Sequence, residues 1–415
     1  MSDVPEVCRR ARAAARRLAT VPTEDKDRAL ARVAEGLRAA EGPLLAANAE
    51  DVAAARARGT APAMLDRLTL DPERLAAMAR AVDDVRGLHD PVGEEISRAS
   101  RPSGIAVRRV RVPIGVVAMV YEARPNVTAE ASALTLKAGN AVVLRGGSEA
   151  ERSNAAIARV IAEALAEVGL PEAAVQVISP RDREDVKVLV QQTDTVDLVI
   201  PRGGESLIRF VTENARVPVV QHYRGVCHLF VERGADVEVA ARIVRDAKLA
   251  RPSACNALEC LLVDEADAAR LLPPIAAALV AGGCELRGCE RTRALVPEAK
   301  PAADDDWGRE FLAPILAVRV VGGLDEALAH VARHGSGHTE AIVTPRAESA
   351  ARFRAEVDAA CVVVNASTRF HDGGELGLGA EIGIATSRLH WRGPMGLEAL
   401  TTMKWIVDGE GQIRG

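Results

Sequence analysis

Arg251-Pro252-Ser253-Ala254-Cys255-Asn256-Ala257-Leu258-Glu259-Cys260-Leu261-Leu262-Val263 is a turn that feeds a buried strand. Pro252 lacks the N–H that a helix interior needs, and the run from Ala257 to Val263 is short, nearly all apolar and without alternation, as a strand covered on both faces reads. A thiol at such a junction is placed for partial exposure. The nearby Arg251 guanidinium would favour the thiolate, the form that attacks carbonyl carbon. Set against this, any of the seven cysteines can be a small buried hydrophobe.

Upstream and downstream of that junction the texture repeats. Short Val/Leu/Ile-rich runs at 141–145, 175–179, 196–201, 218–221 and 228–232 alternate with helical stretches, and a second series follows: strands at 257–263, 315–321, 340–344 and 361–365, with helices at about 265–281, 324–333 and 346–357. Strands alternating with helices predict largely parallel, doubly wound sheets. Ser148 and Glu151 have the spacing of a capping box at the start of a helix over 149–168, which Gly169 and Pro171 close. Residues 3–89 show helical periodicity, while the alternation from Ile105 to Val112 predicts an exposed strand or hairpin that pairs with another subunit. The domains expected are a helical lead-in with a cofactor-binding α/β domain over 1–225, including an oligomerisation hairpin at about 95–112. A catalytic α/β domain over 226–365 and a return segment over 366–415 ending in an oligomerisation strand follow.

Composition sets limits. With 415 residues, 48% hydrophobic and 27% charged, the chain can bury two or three cores, and a net charge of -5 with 2% aromatics gives neither a basic surface nor a stacking platform for nucleic acid. No apolar run reaches the roughly 18 residues a membrane helix needs. Scattered cysteines without a CxxC pair predict reduced thiols and a cytoplasmic protein, and the Arg-rich 8–17 stretch reads as the solvated face of a first helix rather than a transit peptide. His330, His334 and His338 recur every fourth residue, but Gly335 and Gly337 break the helix that would align them, so no metal site is expected. Leu198 to Ser206 is a strand, a Gly203-Gly204 turn and a helix, a geometry whose N–H groups can face a phosphate or serve as a plain β–α turn.

Several strings taken together resemble the gamma-glutamyl phosphate reductase family of the aldehyde dehydrogenase superfamily. They include Tyr121-Glu122-Ala123-Arg124-Pro125-Asn126, Pro252-Ser253-Ala254-Cys255-Asn256-Ala257-Leu258-Glu259, Gly335-Ser336-Gly337-His338-Thr339-Glu340, Asn365-Ala366-Ser367-Thr368-Arg369-Phe370 and Gly377-Leu378-Gly379-Ala380-Glu381. The resemblance implies an aldehyde-dehydrogenase-like α/β fold with two doubly wound domains plus a small β oligomerisation element. It also implies NADPH-dependent reduction of L-glutamate 5-phosphate to the 5-semialdehyde through a Cys255 thioester. By similarity Asn126 donates to the oxyanion, Arg145 and Ser148 meet the adenosine ribose and its 2'-phosphate, and Glu310 binds the nicotinamide ribose. Gly203 and Gly204 are carried as cofactor-binding, and Arg124, Arg369 and Glu381 as eligible for the substrate's α-amino and α-carboxylate groups. A homo-oligomer and an association with glutamate 5-kinase are the partners expected. One departure from the wider superfamily is informative. Where hydrolytic members carry a general-base glutamate, this chain reads Val220-Gln221-His222-Tyr223-Arg224-Gly225, without a carboxylate.

Overall fold

The computed structural model describes residues 3–179 and 182–414. The chain forms two units: one from 1–221, 377–383 and 395–415, the other from 222–376 and 384–394. Residues 222–225 thus belong with the second unit, and the segment after 365 is shared between both.

In the first unit, five helices (Val4–Leu18, Thr23–Ala39, Glu41–Ala57, Pro62–Leu68 and Pro72–Gly87) precede any strand. The first buries Val4, Cys8, Ala11, Ala14, Ala15 and Leu18 and leaves Arg9, Arg10, Arg16 and Arg17 in solvent, which is the amphipathic division its sequence predicts. A four-stranded, wholly parallel sheet follows, in the order Val175–Val177, Ala141–Arg145, Val116–Tyr121, Leu198–Arg202. All six residues of Val116–Tyr121 are buried, as an inner parallel strand requires. The strand expected at 218–221 is reduced to one bridge between Val199 and Val219, because Pro218 has no N–H to extend a ladder. The capping box also fails. Ser148 opens a short 3-10 turn without a side-chain cap, the α-helix runs Glu151–Glu167, and Glu151 accepts instead from the Ser179 hydroxyl. A separate antiparallel sheet joins Glu95–Ser100, Ala106–Pro113 and Thr401–Asp408, and its edge strand exposes Met403, Trp405 and Val407.

The second unit is built on a seven-stranded parallel sheet. Its order is Lys300–Pro301, Glu285–Gly288, Ile315–Val321, Leu258–Asp264, Cys227–Val231, Thr339–Val343, Cys361–Val364. Leu258–Asp264 and Cys227–Val231 are buried along their whole length, and the Val237–Leu249 and Ala268–Ala281 helices cover one face. On the other face lies a polar cluster. Glu340 accepts from the His228 backbone at 2.9 Å and contacts its Nδ1 at 3.1 Å, and the Cys260 thiol meets His330 Nε2 at 3.6 Å. Donor atoms of His228, Cys260 and His330 all lie within 4.8 Å of one another in full burial. The three histidines of four-residue spacing separate: His330 and His334 place their rings 4.6 Å apart, while His338 sits at the head of a strand.

These imidazoles make stability depend on pH. Burial lowers His330 to about 2 and His371 to about 4. The unfolded chain therefore takes up protons below about pH 6.5 that the folded chain refuses, and stability falls as pH drops, by about 1.4 kcal/mol per pH unit and proton. Burial opposes charge on His228 as well, but the adjacent Glu340 carboxylate outweighs it and raises the group to about 10. Its contribution is complete below the unfolded value and is lost as pH rises through about 10. Thermal unfolding across this range is expected to show highest stability near about pH 6.5, with His228→Gln flattening the decline between about pH 6.5 and 8.5, above which the buried thiols of Cys8, Cys227 and Cys284 also lose stability. An unchanged decline between those pH values in His228→Gln would contradict the assignment.

Candidate active site

Cys255 lies in the turn between the Val237–Leu249 helix and the Leu258–Asp264 strand, and it is half-buried. Backbone bonds Ala254 N–H to Arg251 carbonyl (3.1 Å) and Ala257 N–H to Ala254 carbonyl (3.0 Å) define the turn. Its neighbours grip it on the main chain. A Cβ added to Gly225 would stand 2.0 Å from the Cys255 carbonyl oxygen, so only glycine permits this approach, and the Cys227 thiol donates to the same oxygen at 3.3 Å. On the other side the Asn256 amide donates to the His371 carbonyl at 3.0 Å, and Thr368 Oγ1 donates to the Asn256 carbonyl at 2.7 Å. That ties the nucleophile turn to the 368–371 segment that carries Arg369.

Glu310 joins this frame: its Oε1 accepts the Gly225 N–H at 3.0 Å. Two residues on, Leu312 donates to Glu259 Oε1 at 3.3 Å, and Glu259 is paired with Lys248 at 2.6 Å with both side chains fully enclosed. A buried pair of this kind costs desolvation and contributes position rather than net stability. Glu310 is only half-buried.

Two residues without an assigned role in the sequence lie at the thiol. The Cys255 sulfur, a ring nitrogen of His222 and a ring nitrogen of His338 are all within 4.8 Å of one another. They meet because the Leu258–Asp264, Cys227–Val231 and Thr339–Val343 strands are parallel neighbours and the three residues precede their amino ends. His338 is wholly buried, with Nδ1 2.7 Å from Thr339 Oγ1, which is in turn 2.8 Å from His371 Nδ1. Arg251, the cation expected beside the thiol, is exposed, and the imidazoles of His222 and His338 also lie near the sulfur. The 335–340 string was the available signal for His338, but its histidine carries no role by spacing alone.

Of the remaining candidates, Arg145, Ser148, Gly203, Gly204, Asn126 and Arg124 lie in the first unit near the carboxyl edge of its parallel sheet, where open α/β sheets bind ligands; Glu381 belongs to the first unit as well, and Arg369 to the second. Arg145 ends its strand with Nη1 on the Gly146 carbonyl (2.9 Å) and Nη2 on the Asp182 carbonyl (3.1 Å); its Nε is buried with no hydrogen-bond partner among the described residues, and desolvation lowers its pKa. Ser148 is exposed nearby in the chain. Gly203 and Gly204 form the strand-to-helix turn, and the Gly204 N–H donates to the Glu122 carboxylate at 3.2 Å, so this turn already holds an anionic group of the protein's own. An arginine at the carboxyl end of a parallel strand, with an unsatisfied nitrogen among the described residues, fits a dinucleotide phosphate. Asn126 begins the Asn126–Lys137 helix and donates one amide hydrogen to Glu130 Oε1 at 2.9 Å, leaving a second hydrogen on Nδ2. Burial pushes the Glu130 carboxyl up, with Asn126, Arg202 and Arg124 opposing. Arg124 is exposed, and Arg369 and Glu381 are half-buried.

The architecture is that of the aldehyde dehydrogenases. The aldehyde dehydrogenase family profile matches residues 1–284, and an acetylating aldehyde dehydrogenase from Geobacillus thermoglucosidasius shares the fold with a TM-score of 0.70 at 18% identity, covering 100% of this chain and 98% of that one. Much closer is a gamma-glutamyl phosphate reductase of Sorangium cellulosum, 60% identical over 413 residues, which are 98% of this chain and 97% of the relative. The crystal structure of the gamma-glutamyl phosphate reductase of Thermotoga maritima matches with a TM-score of 0.98 at 46% identity over the whole of both chains. The chain belongs to the gamma-glutamyl phosphate reductase family.

Gly225→Ala tests the grip on the nucleophile. The new methyl meets backbone at 2.0 Å and must displace the Cys255 turn. Turnover is expected to fall by about 100-fold, the cost of misplacing a reacting group by about 1 Å, with far-UV circular dichroism unchanged. Unaltered kcat would show that the contact does not set the position of the thiol.

Proposed function

We propose that this chain reduces L-glutamate 5-phosphate to L-glutamate 5-semialdehyde and phosphate with NADPH, through a thioester on Cys255, the second step of proline biosynthesis from glutamate. The observation that carries the reading is the half-exposed thiol held on its main chain by Gly225 and Cys227, beside imidazoles rather than a carboxylate. An acyl phosphate is a strong acyl donor, so a thiolate displaces phosphate readily and leaves a thioester, which accepts hydride more easily than the acyl phosphate does. Bound NADPH supplies that hydride. Cys255 then leaves from the tetrahedral adduct as the aldehyde forms. Both tetrahedral species carry an oxyanion, for which by similarity the second Asn126 amide hydrogen and the Cys255 N–H are the donors; one such donor lowers the barrier by about 2.7 to 4 kcal/mol. Arg369, Arg124 and Glu381 are the charged groups eligible for the amino-acid end of the substrate.

A hydrolytic dehydrogenase is the second reading, for which the His222 imidazole near the Cys255 sulfur would be the available base. Phosphate decides between them. Run in reverse with glutamate 5-semialdehyde and NADP+, NADPH formation is expected to require both phosphate and Cys255, and to vanish in Cys255→Ala. Formation that persists without phosphate would establish the hydrolytic enzyme instead.

Preference for NADPH rests on Arg145 and on Ser148, which by similarity stands where NAD-preferring members carry a glutamate. Ser148→Glu is expected to raise the KM for NADPH roughly tenfold or more, about 1.4 kcal/mol, with little change in kcat; an unchanged KM would remove Ser148 from the cofactor site. The domain over 1–225 takes the cofactor-binding role and that over 226–365 the catalytic one. A homo-oligomer is proposed through the Thr401–Asp408 edge strand, where Trp405 is 60% and Val407 59% exposed, too much apolar surface on an open strand edge to leave in water. A cytoplasmic location and association with glutamate 5-kinase complete the reading; among the described residues no helix is long and apolar enough to cross a membrane.

A further inference from the structure

We infer that His338 takes the proton of the Cys255 thiol and returns it to the departing phosphate, and that Thr339 and His371 are the positioning residues that orient its ring. The half of this that concerns phosphate rests on the proposed function; the half that concerns the thiol does not.

Geometry singles out His338 from the other imidazole. Both His338 and His222 bring a ring nitrogen within 4.8 Å of the sulfur, but His338 is fully buried, with a chain of hydrogen bonds from Nδ1 to Thr339 Oγ1 at 2.7 Å and on to His371 Nδ1 at 2.8 Å, whereas His222 is half-buried. A nucleophile, a base and a third group that orients the base is the arrangement that activates a thiol. The Thr339 hydroxyl has one hydrogen, so it donates to one ring and accepts from the other. Burial lowers His371 to about 4, which keeps it neutral and able to accept. When it accepts at Nδ1, the hydroxyl oxygen takes the His338 Nδ1–H, and His338 Nε2 then carries the lone pair a base needs.

The step balances. The S–H bond breaks and an N–H bond forms on His338. Sulfur bonds to the acyl carbon, the carbon–oxygen bond to phosphate breaks, and the leaving oxygen takes the imidazolium proton. The thiolate freed after hydride transfer regains its proton from solvent, which is the one proton consumed when an acyl phosphate is reduced to an aldehyde and inorganic phosphate. The other titratable groups facing the pair are His222, Cys227, His371 and, through Gly225, Glu310. Burial and then the Glu340 charge hold the Cys227 thiol well above its ordinary value, so it does not compete as a nucleophile. Glu340 itself is turned to His228.

Iodoacetamide labelling of the intact, substrate-free protein across a pH series, read at the Cys255 peptide by mass spectrometry, tests the thiol half directly. Only Cys289 and Cys361 share half-burial with Cys255, and their peptides serve as internal controls. The Cys255 midpoint is expected below the roughly 8.5 of a free thiol. His338→Gln should raise it so that labelling at neutral pH slows about tenfold, Thr339→Val should shift it in the same direction by less, and His222→Gln should leave it in place. Superimposable profiles for His338→Gln and the unsubstituted chain, or a shift with His222→Gln instead, overturn the inference. Should His338→Gln fail to fold, as judged by its thermal transition, an unshifted Thr339→Val profile overturns it equally. A shift found together with no phosphate-dependent turnover would sink the proposed function and leave the proton role of His338 standing.

Discussion

The space that a side chain at residue 225 would need is filled by the carbonyl of Cys255, and the geometry of the nucleophile depends on that contact. Because the approach is backbone against backbone, it cannot be tuned by a rotamer change. Glu310 holds the Gly225 N–H, Glu259 holds the N–H of Leu312 beyond it, and Asn256 holds the carbonyls of the 368–371 segment. The thiol is therefore located from three directions through main-chain atoms, while its sulfur stays half-exposed. Reactive groups need this combination of a fixed position and open access, since displacement by about 1 Å costs orders of magnitude in rate.

Each unit uses its parallel sheet differently. In the first, Arg145 and the Gly203-Gly204 turn stand at carboxyl ends of strands, the usual place for a ligand in an open α/β sheet. In the second, Cys255 and His338 stand before the amino ends of the Leu258–Asp264 and Thr339–Val343 strands, which flank Cys227–Val231 on either side. Adjacent parallel strands lie about 4.8 Å apart, so the residues leading into three consecutive strands lie close together without any long excursion of the chain. The same sheet register sets His228, Cys260 and Glu340 side by side below.

Much of this could be read from residue order, and the failures have physical causes. Cys255 stood out because Pro252-Ser253 forces a turn just before a continuous apolar run. The Val116–Tyr121 strand did not, because it follows Ala106–Pro113 across only Ile114-Gly115 and no helical pattern separates the two. Ser148 and Glu151 had the right spacing for a box, but a 3-10 turn changed the backbone path and Ser179 claimed the carboxylate. For Asn126, similarity gave the oxyanion role but not the Glu130 partner one helical turn on. His338 was not legible as a neighbour of Cys255: its partners are Thr339 beside it and His371, and the latter reaches it only through sheet packing. Periodicity drew attention to the right histidine for a reason the fold does not use.

The central claim is a covalent thioester on Cys255 that phosphate, rather than water, releases. The most direct measurement is peptide mass spectrometry on protein quenched after mixing with glutamate 5-semialdehyde and NADP+ in phosphate-free buffer. The account predicts a glutamyl adduct confined to the Cys255 peptide, disappearing when phosphate is added before the quench. NADPH formed without any adduct on that peptide, or an adduct on another cysteine, would contradict it.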